Sequence, residues 1–287
     1  MPKLSIITVN LNNKAGLEET AKSVVAQTWD DYEWIIIDGG STDGSVEVIK
    51  KYAAETEKLV YWCSEPDGGI YQGMNKGILR AKGKYCWFLN SGDCAFTYTT
   101  LADIFKIEHD EDIIYGNMKI RYLEGLKHED LLRSMKKSNP CSLISWARYP
   151  AILHQASFIK HDLLVNLHLY NSKDYKIAGD TDFFIRAIFQ HSAKCKYVDT
   201  VFALFKNGGI STVDKMQKFM RLEHVRTIID NFPESYEKIY ALAYLREMFF
   251  EGISILFLPF IRLKCLFARI EKFGIGKSVN YYKQKYF

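Results

Sequence analysis

Over the first ninety residues, apolar runs alternate with stretches of helical period, and this alternation limits the possible folds more than any other feature of the chain. Leu4–Val9 (LSIITV), the run EWIIID ending at Asp38, Leu59–Cys63 (LVYWC) and Lys84–Asn90 (KYCWFLN) read as strands. Between them, Leu17, Ala21, Val24 and Thr28 share one helical face, with Asn12 or Asn13 available as N-cap. Val46, Ile49 and Ala53 mark a second helix, and Tyr71, Met74 and Ile78 a third. Strand–helix alternation at this spacing implies right-handed crossovers, hence an α/β fold with a mainly parallel central sheet flanked by helices. A run such as Ile35-Ile36-Ile37, apolar on both faces, suits a strand covered on both sides.

The polar clusters all fall after strands. Thr8, Asn10 and Asn12 follow the first and Asp38 to Asp43 the second; SEPDGG (Ser64 to Gly69) follows the third and NSGD (Asn90 to Asp93) the fourth. One polar loop at a ligand edge means little, but four in register place acids, amides and glycines along the carboxyl edge of one sheet, where open α/β folds bind ligands. The chemistry is narrowed by what is missing. NLNNKAG after the first strand is not the GxGxxG of a dinucleotide fold, and neither a P-loop nor a GxSxG nucleophile elbow occurs. DGGSTDG is superficially like a calcium loop, but Gly40 and Thr42 stand where acids or amides belong. An edge of scattered acids without a phosphate cradle needs another way to hold an anion. A divalent cation on Asp93 would bridge phosphate oxygens.

Composition adds bounds. The 287 residues suffice for one large domain or a domain with an appendage, and a net charge of +4 gives no reason to expect a nucleic-acid partner. Eighteen Tyr and eighteen Phe suggest interfaces or a partly apolar surface. Six cysteines show no CxxC pair or metal-ligand spacing, which fits free thiols in a reducing cytosol. MPKLSIITVN reads as a first strand and not as a signal peptide, so a cytoplasmic protein is expected.

SIITVNLN, IIIDGGSTDGS, SEPDGGIYQGMNKGI and WFLNSGD, in that order, strongly resemble the nucleotide-sugar-binding half of glycosyltransferase family 2, which has the GT-A fold. The resemblance is firm over residues 4 to 120 and looser over 150 to 212, through HQASFIKHDLL, AGDTDFFIRA and NGGIS. Within the family, the chain looks most like bacterial enzymes that build capsule, lipopolysaccharide or exopolysaccharide units. The resemblance implies roles residue by residue. Asp38 matches the acid that accepts from the nucleobase, Thr8 and Asn10 match positions lining the nucleoside, and Asp67 and Asn75 match donor-loop positions. Asp93 matches the last acid of the DxD metal motif, which here reads Asn90-Ser91-Gly92-Asp93, so one carboxylate remains for Mg²⁺ or Mn²⁺. Gln72 and Met74 replace the Asp or Arg usual on the third helix, which leaves Lys76 as the basic group for the diphosphate. AGDTDFFIRA matches the ED motif at a helix start, with Gly179 in place of Glu and Asp180 as the catalytic base. Asp182 is then an acceptor-side group or a helix cap, and His154 belongs either to the site or immediately behind it. Asp43 with Ser45 reads as a cap on the second helix.

These assignments divide the chain into a GT-A domain over 1–212, with a donor half (1–120) and an acceptor half (121–212), and a helical extension over 213–287. Ile253 to Ile270 is apolar but interrupted by Pro259, Arg262, Lys264 and Arg269, a poor membrane span. Followed by KSVNYYKQKYF, it reads either as an interfacial helix on the inner face of an anionic membrane or as a helix packed on the domain or in a homodimer. The function implied is an inverting, metal-dependent transferase. It would move a sugar from a nucleotide-sugar donor, UDP-linked in preference to GDP-linked, to a hydroxyl of a lipid-linked glycan such as one on polyprenyl diphosphate. A sugar-1-phosphate nucleotidylyltransferase would need a basic glycine-rich loop after the first strand, which is lacking. A catalytically inactive nucleotide-binding or membrane-docking subunit remains the alternative: the thinned metal motif and missing Glu favour it, and intact Asp93 and Asp180 oppose it.

Overall fold

Leu4–Asn10 (β1) is buried at every position, as a strand sandwiched between helical layers must be. The computed structural model describes residues 1–124, 127–142, 146, 150–206 and 214–232. β1 pairs in parallel with Tyr32–Asp38 (β2) and Tyr85–Phe88 (β4), and β2 pairs in parallel with Leu59–Ser64 (β3). The register sets Asn10 opposite Asp38 and Asp38 opposite Ser64, so the ends of three strands present a row of polar side chains.

Beyond β4 the sheet becomes mixed. Ser157–Lys160 (β8) runs antiparallel to β4 and to Ile113–Glu124 (β6). β6 pairs in parallel with Cys195–Lys206 (β9) and antiparallel with Lys127–Arg133 (β7), and Cys94–Ala95 (β5) pairs antiparallel with β9. The order is β3-β2-β1-β4-β8-β6-β9-β5, with β7 beside β6. The donor half is the expected parallel sheet; beyond it β6 and β9 keep the direction of β1–β4, and β8, β7 and β5 are reversed. This reversal matters for the site. With Trp87 opposite Phe158, the residues that precede β8 lie beside those that follow β4, which brings His154 to the Asn90–Asp93 edge.

The crossovers are Lys14–Val25 (α1), Ser45–Glu55 (α2) and Ile70–Ile78 (α3). They are followed by Thr100–Phe105 (α4), His161–Asn166 (α5), Gly179–Ile185 (α6), which runs into a π-turn over Arg186–Gln190, and Asp214–Asn231 (α7). Asn13 caps α1, its Oδ1 accepting from Gly16 N at 3.2 Å. Met1–Thr227 form one compact unit that takes in α7 as far as Thr227; of the second unit only residues 228–232 are described. The apolar run 253–270 and the basic tail therefore lie outside the described residues, as does Cys265. Among the described residues the other five cysteines are free, and no helix is long and apolar enough to cross a membrane.

Among the described residues, many of the aromatic side chains pack in the core. Trp87 packs edge-on to Phe158, which stacks on Phe105, and Phe105 stacks on Trp29. A second group joins Phe88, Tyr170, Phe183 and Tyr71 behind α6. α3 lies close on β1 because two glycines face the strand: a Cβ at Gly73 would stand 2.8 Å from Val9, and one at Gly77 2.4 Å from Ile7. Overpacking costs ~1–3 kcal/mol, against ~1 kcal/mol of helix propensity gained. Gly77→Ala is therefore expected to lower the urea midpoint. A midpoint at or above wild type would mean that α3 does not depend on this contact.

Candidate active site

At the β1–β2–β3 edge, Asp38 ends a buried strand and is itself fully buried. Its Oδ1 accepts from Asn10 Nδ2 (2.7 Å) and Ser41 Oγ (2.6 Å), and its Oδ2 from Ser41 N (2.8 Å), Gly40 N (3.2 Å) and Ser64 Oγ (2.6 Å). Burial pushes the carboxyl up, but the bonds from Ser41, Ser64 and Asn10 outweigh it and hold the pKa below the ordinary carboxylate value. Gly40, at φ 85°, allows the turn that aims these donors inward. The acid expected to meet a nucleobase thus binds three strand ends together. Asn10 donates to it through Nδ2 while its Oδ1 is buried without a partner, and Thr8 is fully buried, its hydroxyl accepting from Trp34 Nε1 at 3.0 Å. Gly44 is the N-cap of α2, and Asp43 just before it accepts from Ser45 N (3.0 Å) and Oγ (2.6 Å) at the helix start and from Lys14 N at 2.7 Å.

The Asn90–Asp93 turn is held by Thr20 of α1, a residue the sequence did not suggest. Its hydroxyl meets Asp93 O at 2.7 Å and Asn90 O at 3.2 Å, and it accepts from Gly92 N at 3.0 Å. Gly92 supplies the left-handed φ of 101° that the turn requires. Asp93 is 6% exposed, and burial raises its carboxyl pKa to about 7 despite the opposing influence of His154, Gln155 and Asn90. Two further buried side-chain polar atoms at this edge, Asn90 Oδ1 and His154 Nε2, have no hydrogen-bond partner. An under-compensated carboxyl with neighbouring oxygen and nitrogen donors fits Mg²⁺ or Mn²⁺. Among the described residues no three His, Cys, Asp or Glu side chains converge on a cage, so the remaining ligands would come from diphosphate and water.

Asp180 sits in the first turn of α6, 14% exposed at the side chain. Its Oδ2 pairs with His154 Nδ1 at 2.8 Å, and its Oδ1 accepts from Thr181 N at 2.8 Å and from Tyr71 Oη at 3.1 Å. The Tyr71 hydroxyl also meets the carbonyl of Ile177. Burial raises the carboxyl, but His154, with smaller contributions from His224 and Thr181, brings it below the ordinary value. The segment leading into α6 is held by another residue. Glu223 of α7 accepts from Lys176 N, Ile177 N (2.7 Å) and Ala178 N (3.0 Å), in a stretch where sequence reading saw no chemistry. Gly179, which stands in for the family's Glu, is explained by Tyr71: a Cβ there would lie 2.9 Å from the tyrosine ring.

The other expected residues separate. Asp67 Oδ1 takes Gly69 N at 3.0 Å, and its Oδ2 would lie within 3.3 Å of a Cβ at either Gly39 or Gly73, so it stands at the mouth between β2 and α3. Ser91 stays on the turn, its carbonyl accepting from Asn13 Nδ2 at 3.0 Å. Asn75 instead clamps the backbone of Tyr170 (2.8 and 3.0 Å), and Lys76 pairs with exposed Glu65 at 2.8 Å. Asp182 neither caps α6 nor faces an acceptor; it is buried and binds Arg186 Nε at 2.9 Å.

The raised Asp93 pKa has a measurable consequence in chelator-treated protein. An unfolded Asp titrates near ~3.9, so between there and about 7 the folded state keeps a proton that the unfolded state gives up. The stability present below the unfolded value is lost as pH rises through the folded one, on the order of 4 kcal/mol at most. Asp93→Asn is therefore expected to raise Tm at pH 8, with the gain vanishing toward pH 4. An equal Tm difference at both pH values would contradict the burial effect.

The Glycosyl transferase family 2 model matches residues 5–157. A PGL/p-HBAD biosynthesis glycosyltransferase of Mycobacterium bovis is 30% identical over 227 residues, which cover 77% of this chain and 83% of that protein. A putative teichuronic acid biosynthesis glycosyltransferase of Bacillus subtilis is 35% identical over 92 residues, 32% of this chain and 36% of that protein. Among solved structures, S. aureus TarS 1-349 in complex with UDP-GlcNAc superposes with a TM-score of 0.66 at 19% identity, over 90% of this chain and 78% of that one, a likeness in fold. Four parallel strands with polar carboxyl ends, the acidic turn after β4 and the acid opening α6 agree with these matches: the chain belongs to glycosyltransferase family 2 and has the GT-A fold.

Proposed function

We propose that the chain is an inverting transferase of cell-surface glycan synthesis, moving a sugar from a UDP-linked donor, in preference to a GDP-linked one, to a hydroxyl of a lipid-linked acceptor. The observation that carries this reading is a partly open carboxylate, Asp180, paired at 2.8 Å with His154 on the turn before β8, the strand that runs beside β4 and its Asp93 turn. A carboxylate offers about four acceptor sites, and three on Asp180 are filled. The remaining site suits an acceptor hydroxyl. Asp180 takes the hydroxyl proton as the oxygen attacks the anomeric carbon, the new C–O bond forms, and the bond to the diphosphate breaks on the opposite face, which inverts the centre. A divalent cation at Asp93, when bound, neutralises charge growing on the leaving diphosphate. Tyr71, His154 and Thr181 hold the carboxylate in place through the transfer. The mycobacterial and Bacillus relatives support a surface glycan as the product, and UDP-GlcNAc on TarS supports a UDP donor. With a lipid-linked acceptor, the enzyme would work at the inner face of the membrane.

Nucleotide release from a panel of UDP-, GDP- and CMP-sugars with Mn²⁺ tests the assignment. UDP release is expected; no release from any donor would favour a docking subunit. General-base help is worth ~10²–10⁴-fold, so Asp180→Asn is expected to cut kcat by that factor while leaving donor affinity nearly intact. Asp93→Ala should weaken both Mn²⁺-dependent donor binding and turnover. An Asn at this position keeps an amide oxygen for Thr181 N, so loss of that first-turn bond would not account for a fall in Asp180→Asn. Near-normal turnover of that variant with the true acceptor would remove Asp180 as base.

A further inference from the structure

Glu223 lies on α7, well past residue 157 where the family match ends, and it is 5% exposed. Its Oε2 accepts from Lys176 N at 3.1 Å, Ile177 N at 2.7 Å and Ala178 N at 3.0 Å, and its Oε1 from Lys176 N at 2.9 Å. Three consecutive backbone N–H groups thus converge on one carboxylate, a set that an ionised, acceptor-only side chain completes. Two of these residues are held at their carbonyls as well. Ile177 O takes the Tyr71 hydroxyl, which also meets Asp180 Oδ1 at 3.1 Å, and Ala178 O takes Asp182 N at 3.0 Å. Arg226 Nη1 donates to Asp174 O at 3.1 Å, and His224 Nε2 lies 3.4 Å from Thr181 Oγ1. The segment from Asp174 to Thr181 is therefore held from α7 at both ends and in the middle.

Resting on the reading of Asp180 as the base, we propose that Glu223 is a positioning residue of the transfer. Its oxygens are engaged by backbone, so it acts through Asp180, which stands two residues beyond the last N–H that it holds. Charge-assisted bonds are stronger than neutral ones, and in a buried setting they fix the course of the chain into α6. The Tyr71 hydroxyl carries the same constraint directly, because it bridges the Ile177 carbonyl and the Asp180 carboxylate. A general base must lie within hydrogen-bond reach of the hydroxyl that it deprotonates. The working transferase then extends into α7, past the boundary at 212 that the motifs suggest.

A double-mutant cycle on the full-length protein tests this. Turnover is read as UDP released, with water as the attacking hydroxyl, from the UDP-sugar that the donor panel selects, and it is counted per UDP-binding site. Glu223→Gln keeps the side chain's size but sets an amide N–H against a backbone N–H. It is expected to lower kcat by about 10–100-fold, the scale of a misplacement of ~1 Å, while UDP affinity by calorimetry stays unchanged. Glu223→Asp keeps the charge but withdraws it by one methylene, so its kcat should fall between wild type and Glu223→Gln. In the Asp180→Asn background Glu223→Gln should cost nothing further, because the group it positions is gone. A second full loss in that background, or a fall in UDP affinity that matches the fall in kcat, would make Glu223 a general support and overturn the inference. Wild-type kcat in Glu223→Gln, or in Glu223→Asp where the former does not fold, overturns it equally and leaves the base reading standing. If Asp180→Asn itself keeps near-normal turnover, the base reading falls and this inference with it.

Discussion

The pairing of Asp180 with His154 joins parts of the chain that share no other chemistry. The aspartate belongs to α6, the histidine to the turn before β8, and the two meet because β8 runs antiparallel beside β4. Tyr71 from α3 and the α6 backbone close the other side of the carboxylate. A buried carboxylate without these donors would be costly to ionise, and with them it stays charged and fixed in direction. The α6 terminus is in turn set by Glu223, so the clamp extends as far as α7.

The donor half provides a rigid frame for that edge. Parallel strands buried on both faces fix the heights of Asn10, Asp38 and Ser64, and Asp38 uses its full acceptor capacity to tie them. Other polar atoms stay open: the last site on Asp180, the carboxyl of Asp93, and the buried Asn10 Oδ1, Asn90 Oδ1 and His154 Nε2, which have no hydrogen-bond partner. A saturated polar group stabilises a fold, whereas an unsaturated one in the same edge calls for a ligand. This distinction separates Asp38 from Asp93, although both end a strand and both are buried.

Much of the frame was legible in the sequence because it is written in local periods. Triple isoleucine, glycine after acid, and an Asn followed by a helical stripe specify β2, its turn and the α1 cap within a few residues. Side-chain direction is not local. Thr8 reads as a polar residue at a strand end, yet its partner is Trp34 on the neighbouring strand. Asn75 and Tyr170 are joined across ninety-five positions, and Glu223 reaches the α6 start from forty-five beyond Ala178. The reading by motif placed Asp93 and Asp180 at the site edge but could not distinguish a side chain facing the site from one facing the frame. Gly179 looked like a defect in the motif and is instead the space that Tyr71 occupies.

The central claim is that the Asn90–Asp93 turn and the start of α6 form one site for a nucleoside diphosphate and its cation. Hydrogen exchange read by mass spectrometry, with and without UDP and Mn²⁺, addresses this directly, since ligand contacts suppress local opening. The account predicts that residues 90–93 and 176–181 gain protection together, at the same ligand concentration, while strand β6 is unchanged. Protection confined to one of the two segments, or found only elsewhere in the chain, would contradict it.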